Sequence, residues 1–194
     1  MARTKNFDRQ DKLIEAMHLF WEKGYAETSV SDLVERLGIN RFSLYSTYGD
    51  KHTLYHETID YYLNTYSCPR LDAFFSEDSG LEAIYDYLSR FSALQKEQRE
   101  GCFMQNALLE KCLTDEYVLA AGNRLFDFII KTMTHALENA KLFGQIKPDV
   151  NIPQTASFIL LQMQGFRVLG KCERYEDVEA AKDVAFEYLA SLRP

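Results

Sequence analysis

The sequence predicts an all-α protein, on three observations. Apolar residues recur at three- and four-residue spacing over long stretches, as in Leu13, Met17, Phe20 and Trp21. Short strand-like alternations bounded by turn residues are scarce. The four prolines, at positions 69, 148, 153 and 194, all fall outside the periodic runs. With 194 residues, 46% of them hydrophobic, the chain has ample material for a core. The pattern predicts about nine helices, arranged as a three-helix head over residues 1–50 and a helical bundle over residues 51–194.

The first helix is expected from about Asp8 to Lys23, stopped by Gly24. Ser29-Val30-Ser31-Asp32 opens the second as a capping box, in which the serine hydroxyl takes an orphan amide and Asp32 reaches back. That helix carries Leu33, Val34 and Leu37 and ends at Gly38, a residue suited to a left-handed turn. Asn40 caps a third helix through about Ser46. Asp50 caps a fourth through about Tyr66, with Tyr55, Ile59, Tyr62, Leu63 and Tyr66 along one stripe. Two short helices around Gly38-Ile39-Asn40 have the dimensions of a helix-turn-helix. Beyond Pro69, helical patterns cover about 70–76, 80–97, 102–113 and 115–142, the last of them stopped by Gly144. Pro148 and Pro153 bracket a connector, and helices over about 154–170 and 175–192 complete the chain.

Charge and composition exclude several classes. The net charge of −7 is unevenly placed: residues 1–51 hold eight Lys/Arg and eight Asp/Glu, the remainder fourteen and twenty-one. Screening confines phosphate attraction to about 8 to 10 Å, so an acidic body is compatible with a head that binds DNA. No apolar run approaches the ~20 residues that span a bilayer, and the start, MARTKNFDRQDKL, has no apolar signal segment. A soluble, cytoplasmic protein with no membrane partner is expected. Cys68, Cys102, Cys112 and Cys172 are dispersed, with no Cys-x-x-Cys and no His at zinc spacing, and are expected as reduced thiols. His52 and His56 share a helical face, but two ligands do not make a site, so neither a metal nor a cofactor is expected. No Ser/His/Asp, paired-carboxylate or phosphate-loop arrangement argues for an enzyme.

Gly24-Tyr25, Thr28-Ser29-Val30, Leu33 with Gly38-Ile39, Leu44-Tyr45, Tyr48 and Lys51 stand in the order and spacing of a known signature. In them the chain resembles the TetR family of bacterial transcriptional regulators over about fifty residues. The resemblance implies a homodimer formed through the last two helices, two reading heads on a palindromic, double-stranded operator, and a small-molecule effector of unknown identity. Effector binding would tilt the long fourth helix and release the DNA. Gly101-Cys102-Phe103-Met104 with Asn106, Gly144-x-Ile146-x-Pro148-Asp149 and Gln164-Gly165-x-Arg167-Val168-Leu169 resemble one branch of the same family.

A recognition helix enters the major groove through its N-terminal residues, which makes Arg41, Phe42 and Ser43 the candidates for base edges. Phe42 has two readings: contact with a thymine methyl if exposed, packing if tucked in. Tyr45 and Thr47 stand where the family contacts phosphate, although His is common where Thr47 stands. Ser29 offers a hydroxyl and a helix N-terminal amide, Lys51 a charge, and Asn40 completes the DNA-facing set. Arg3, Lys5, Arg9 and Lys12 form a basic leader for which contact with the DNA backbone or minor groove and a solvated terminus are the alternatives. Cys102, with Cys112 ten residues on, resembles the thiol setting of electrophile-responsive members; the competing reading is a small apolar filler.

Overall fold

The computed structural model describes residues 7–73, 75–98 and 100–194, and among them it is helical with no strand. The elements are α1 (Arg9–Lys23), α2 (Val30–Leu37), α3 (Arg41–Tyr48), α4 (Lys51–Tyr62), a π turn (Leu63–Ser67), α5 (Cys68–Asp72), α6 (Leu81–Glu97), α7 (Phe103–Lys111), α8 (Glu116–Leu142), α9 (Ile152–Lys171) and α10 (Tyr175–Ser191). Taking α4, the π turn and α5 as one run of helical backbone gives nine helices among the described residues. The fourth helix thus departs from its expected course to Tyr66. Pro69 has no N–H to give and its ring crowds the carbonyl four residues back, and the widened turn just before it absorbs that mismatch. None of the helices is long and apolar enough to cross a membrane, among the described residues.

The chain forms two compact units that divide it differently from a break at residue 50. One runs to Ser67 and returns for Phe103–Asn123; the other holds Cys68–Cys102 and Arg124–Pro194. In the first unit, an aromatic cluster explains why the three-helix head does not stand alone. Phe20 of α1 meets Tyr55 of α4 edge-on at 5.0 Å, and Trp21 meets Tyr62 at 5.1 Å. Phe103 of α7 then packs edge-on against Tyr55 at 5.9 Å and Tyr62 at 5.7 Å. These edge-to-face pairs each add about 0.5 to 1.5 kcal/mol to the burial of the rings themselves.

Two carboxylates fix the polar ends of this unit. Glu110 of α7 accepts from the Tyr25 amide at 2.9 Å and the Ala26 amide at 2.6 Å, at the turn where Gly24 takes a φ of 83°. Asp115 caps α8: its Oδ1 accepts from the amides of Tyr117 at 3.1 Å and Val118 at 3.3 Å. Its Oδ2 faces His52 and His56. Burial pushes the carboxyl upward, but the hydrogen bonds from His56, the Val118 amide and His52 hold it at about 2.

The second unit is built on α6, the later part of α8, α9 and α10, with Leu81, Ile84, Leu88, Met133, Leu137, Ile159, Met163, Phe166 and Leu189 buried. Gly80 opens α6 without a capping side chain of its own, and Gln145 supplies the acceptor to the Leu81 amide at 2.8 Å. Gly170 of α9 lies so near α6 that a Cβ there would come within 2.5 Å of the Gln95 side chain. Arg167 is buried with its guanidinium 5.1 Å from the centre of the Phe91 ring.

The Glu110 bridge leads to a direct expectation. Glu110→Ala removes the acceptor of two turn amides, and amide exchange measured by NMR should rise about fivefold at Tyr25 and Ala26, the equivalent of ~1 kcal/mol for an exposed bond to a carboxylate. Exchange unchanged at both would mean that Glu110 does not hold the turn.

Candidate nucleic-acid interface

The outer face of α3 is open, and the caps and the turn that lead into it are local in the sequence. Ser29 Oγ accepts from the Asp32 amide at 3.0 Å, and the Ser29 amide donates to Asp32 Oδ2 at 2.7 Å, closing the capping box on α2. Those same bonds, led by the one from the Ser29 backbone and joined by Lys23, hold the Asp32 carboxyl at about 2. The Ser29 amide is therefore already committed; what Ser29 keeps for a phosphate is its hydroxyl proton. Gly38 turns the chain at φ 61°, ψ 28°, the left-handed conformation that makes the tight link to α3. Asn40 Oδ1 then accepts from the Ser43 amide at 2.8 Å and caps α3.

Leu44 and Tyr48 are buried and set the phase of α3. The Tyr48 hydroxyl donates to the Arg9 carbonyl at 2.6 Å, tying the end of α3 to the start of α1; burial pushes this hydroxyl up to about 12, so it stays a donor. Counting from that phase, Phe42 and Ser46 lie opposite the core, Arg41 and Tyr45 flank them, and Ser43 and Thr47 lie on the other shoulder. Phe42 is 81% exposed, which decides between its two readings in favour of an outward ring. Arg41 and Tyr45 are also exposed, and Ser43 is half-buried.

Thr47 stands apart from the rest of the expected set. Its hydroxyl is buried and makes no hydrogen bond, so in this conformation it is not offered to a phosphate. Ser46, outside the expected set, is exposed on the Phe42 side instead. The helical offset of two residues from Leu44 would have found it.

Lys51 begins α4 half-buried, with Nζ 4.2 Å from the centre of the Tyr25 ring. Burial pulls its pKa below the ordinary lysine range, against the attraction of Glu110 and with the repulsion of Lys111. Lys111 reaches the same ring, at 4.9 Å, and so stands as a second cation beside Lys51 that no signal in the head's own sequence marks. Of the basic leader, Arg9 pairs with Glu57 at 2.6 Å and Lys12 with Glu15 at 3.0 Å. Arg3 and Lys5 lie outside the described residues. Cys102 is buried in the second unit, 5% exposed.

Comparison with known proteins gives this geometry a setting. Residues 13–58 match the profile of bacterial regulatory proteins of the tetR family. The chain is 31% identical over 162 residues to the uncharacterized HTH-type transcriptional regulator YezE of Bacillus subtilis (strain 168), covering 82% of this chain and 84% of that one. It is 28% identical over 170 residues to the HTH-type transcriptional repressor ComR of Escherichia coli (strain K12), covering 86% and 81%. Among solved structures, it superposes with a TM-score of 0.73 and 27% identity on a cysteine mutant of CifR, a TetR family transcriptional regulator complexed with double-strand operator DNA, over 93% of this chain and 98% of that one. With the head matched by the profile and a relative above 30% identity spanning most of both chains, the protein belongs to the TetR family of bacterial transcriptional regulators.

Proposed function

We propose that the chain is a transcriptional repressor that binds an inverted-repeat operator as a homodimer and lets go when a small-molecule effector binds. The observation that carries the DNA-binding part is the outward face of α3, where Arg41, Phe42 and Tyr45 are exposed on a helix whose inner residues, Leu44 and Tyr48, are fully packed. Arg41 has the fork of donors that reads guanine O6 and N7. Phe42 offers an apolar surface to a thymine methyl, and Ser43 lies beside them at the helix start. Tyr45, the Ser29 hydroxyl and the Lys51 ammonium supply phosphate contacts that fix register without reading sequence. Relatives that are repressors, and a related regulator held on operator DNA, support the same reading.

Support for a homodimer comes from the second unit. Leu161 is 67% exposed and Val168 lies seven residues on along α9; Val184, 64% exposed, and Tyr188 lie four apart on α10. Repeats of this kind put apolar side chains on one face of each helix, and a second copy of the chain would cover them. Effector response is the family's habit, with a coupling of about 1 to 3 kcal/mol between ligand and DNA. Cys102 as the sensing thiol would react only as fast as the fold opens around it, because it is buried.

Selection of bound sequences from random DNA tests the reading. The selected site should be an inverted repeat with half-sites ~34 to 36 Å apart, or about one helical turn. A single asymmetric site taken up by monomer would refute the proposal.

On the selected site, Arg41→Ala should cost about 1 to 3 kcal/mol and relax preference at one base pair per half-site, while Lys51→Ala should weaken all sequences alike and lower the salt slope by about one. Filter or fluorescence titrations at several salt concentrations separate the two. Equal losses on specific and random DNA for Arg41→Ala would remove it from readout.

Leu161→Glu and Val184→Glu should each yield monomer in sedimentation equilibrium and weaken operator binding while leaving far-ultraviolet helicity intact. A dimer that persists in both variants would place the interface elsewhere.

A further inference from the structure

The first turns of α4 place two imidazoles at i and i+4, in the sequence His52-Thr53-Leu54-Tyr55-His56. On a helix that spacing sets two side chains one above the other, the arrangement by which helical histidine pairs bind a shared ion. The third group arrives from the N-cap of α8. Asp115 Oδ2 lies 2.8 Å from His52 Nε2 and 2.9 Å from His56 Nε2. The three donor atoms all lie within 4.8 Å of one another, and no other such set of three occurs among the described residues. From this convergence we propose that His52, His56 and Asp115 form a binding site for a divalent first-row transition ion of the zinc class.

The donor set suits that class: two borderline imidazoles with one hard carboxylate make a mixed set that zinc, cobalt and nickel accept, and one too small and too nitrogen-rich for calcium or magnesium. The size is close as well. Ligand atoms ~2.0 to 2.1 Å from a tetrahedral ion lie about 3.3 Å apart, so the two imidazole–carboxylate separations, 2.8 and 2.9 Å, need to open by about half an ångström. Before an ion enters, each Nε2–H donates to Oδ2. On binding, each Nε2 gives up that proton, to Nδ1 of the same ring or to solvent, and its lone pair turns to the metal.

Each ligand is held in place by something other than the ion. Asp115 is 3% exposed at its side chain, and its second oxygen is anchored by the α8 amides, which leaves Oδ2 pointing at the histidines. The His56 ring stacks on Tyr117 at 4.1 Å with an interplanar angle of 17°, and the Tyr117 hydroxyl donates to Asp60. The Tyr25 ring meets His52 edge-on at 6.1 Å. The hydrogen bonds that anchor Asp115 are the kind of support that tunes metal affinity, and the ring contacts limit rotation of the imidazoles. His52 is half open to solvent, which provides both the path in and room for a fourth ligand from water. The site lies within one compact unit, next to Lys51, and does not depend on the operator-binding reading.

The test is titration of tag-free, full-length protein with zinc by calorimetry, and with cobalt(II) by absorption, at a pH above the ordinary imidazole range. One ion per chain is expected, with visible cobalt bands and no near-ultraviolet thiolate charge transfer. At about a hundredfold excess over Kd, zinc should raise Tm by about 5 to 10 °C. Two variants should lose both the binding and the Tm increment: His52→Gln with His56→Gln, and Asp115→Asn, which keeps an oxygen to cap α8. Failure of the parent to bind would overturn the site. So would a thiolate band in the cobalt spectrum, or equal binding by either variant when circular dichroism shows it folded. If one variant does not fold, the other decides.

Discussion

A reading helix must keep its outer face bare, and that requirement governs the rest of the first unit. At eight residues, α3 is far shorter than the ~12 to 15 at which an isolated helix becomes marginal in water, and half of its surface can make no protein contact if it is to meet DNA. Its stability has to come from its two ends and its inner face. Asn40 satisfies the first turn and Leu44 and Tyr48 fill the inner side. The Tyr48 hydroxyl, bonded to the Arg9 carbonyl, pins the last turn to α1. Helix α1 is itself fixed by the aromatic contacts of Phe20 and Trp21 with α4, and Phe103 of α7 closes that cluster. The exposed Phe42 is affordable because so little of α3's order depends on it.

The first unit likewise does not end at residue 50. Its turn between α1 and α2 takes its acceptor from Glu110, and the imidazoles of α4 take theirs from Asp115, so α7 and the start of α8 complete the unit polar as well as apolar. Lys51 of α4 and Lys111 of α7 both reach the Tyr25 ring, a further contact between the two parts of the unit.

What could be read from the sequence was what is local along it. The capping box from Ser29 to Asp32, the Asn40 and Asp50 caps and the Gly38 turn each involve partners within three residues, and all are present as read. The outward Phe42 needed the structure, since a lone aromatic on a short helix has no periodicity to say which way it faces. Thr47 stands where the family signature has a phosphate contact, but the phase that Leu44 and Tyr48 impose leaves its hydroxyl buried. The π turn was hidden because the apolar stripe through Leu63 and Tyr66 continues across it unbroken. Glu110 on Tyr25, and Asp115 on His52 and His56, were illegible for a simpler reason: the partners are 85, 63 and 59 residues apart, and no local pattern records such a contact.

The open face of α3, supported from behind, is the surface proposed to meet DNA. Hydrogen–deuterium exchange of the protein with and without a selected operator duplex tests it most directly. On binding, protection should concentrate in the first turns of α2 and α3 and at the start of α4, with the packed core of α9 unchanged. Protection that spares α3 while appearing elsewhere would contradict it.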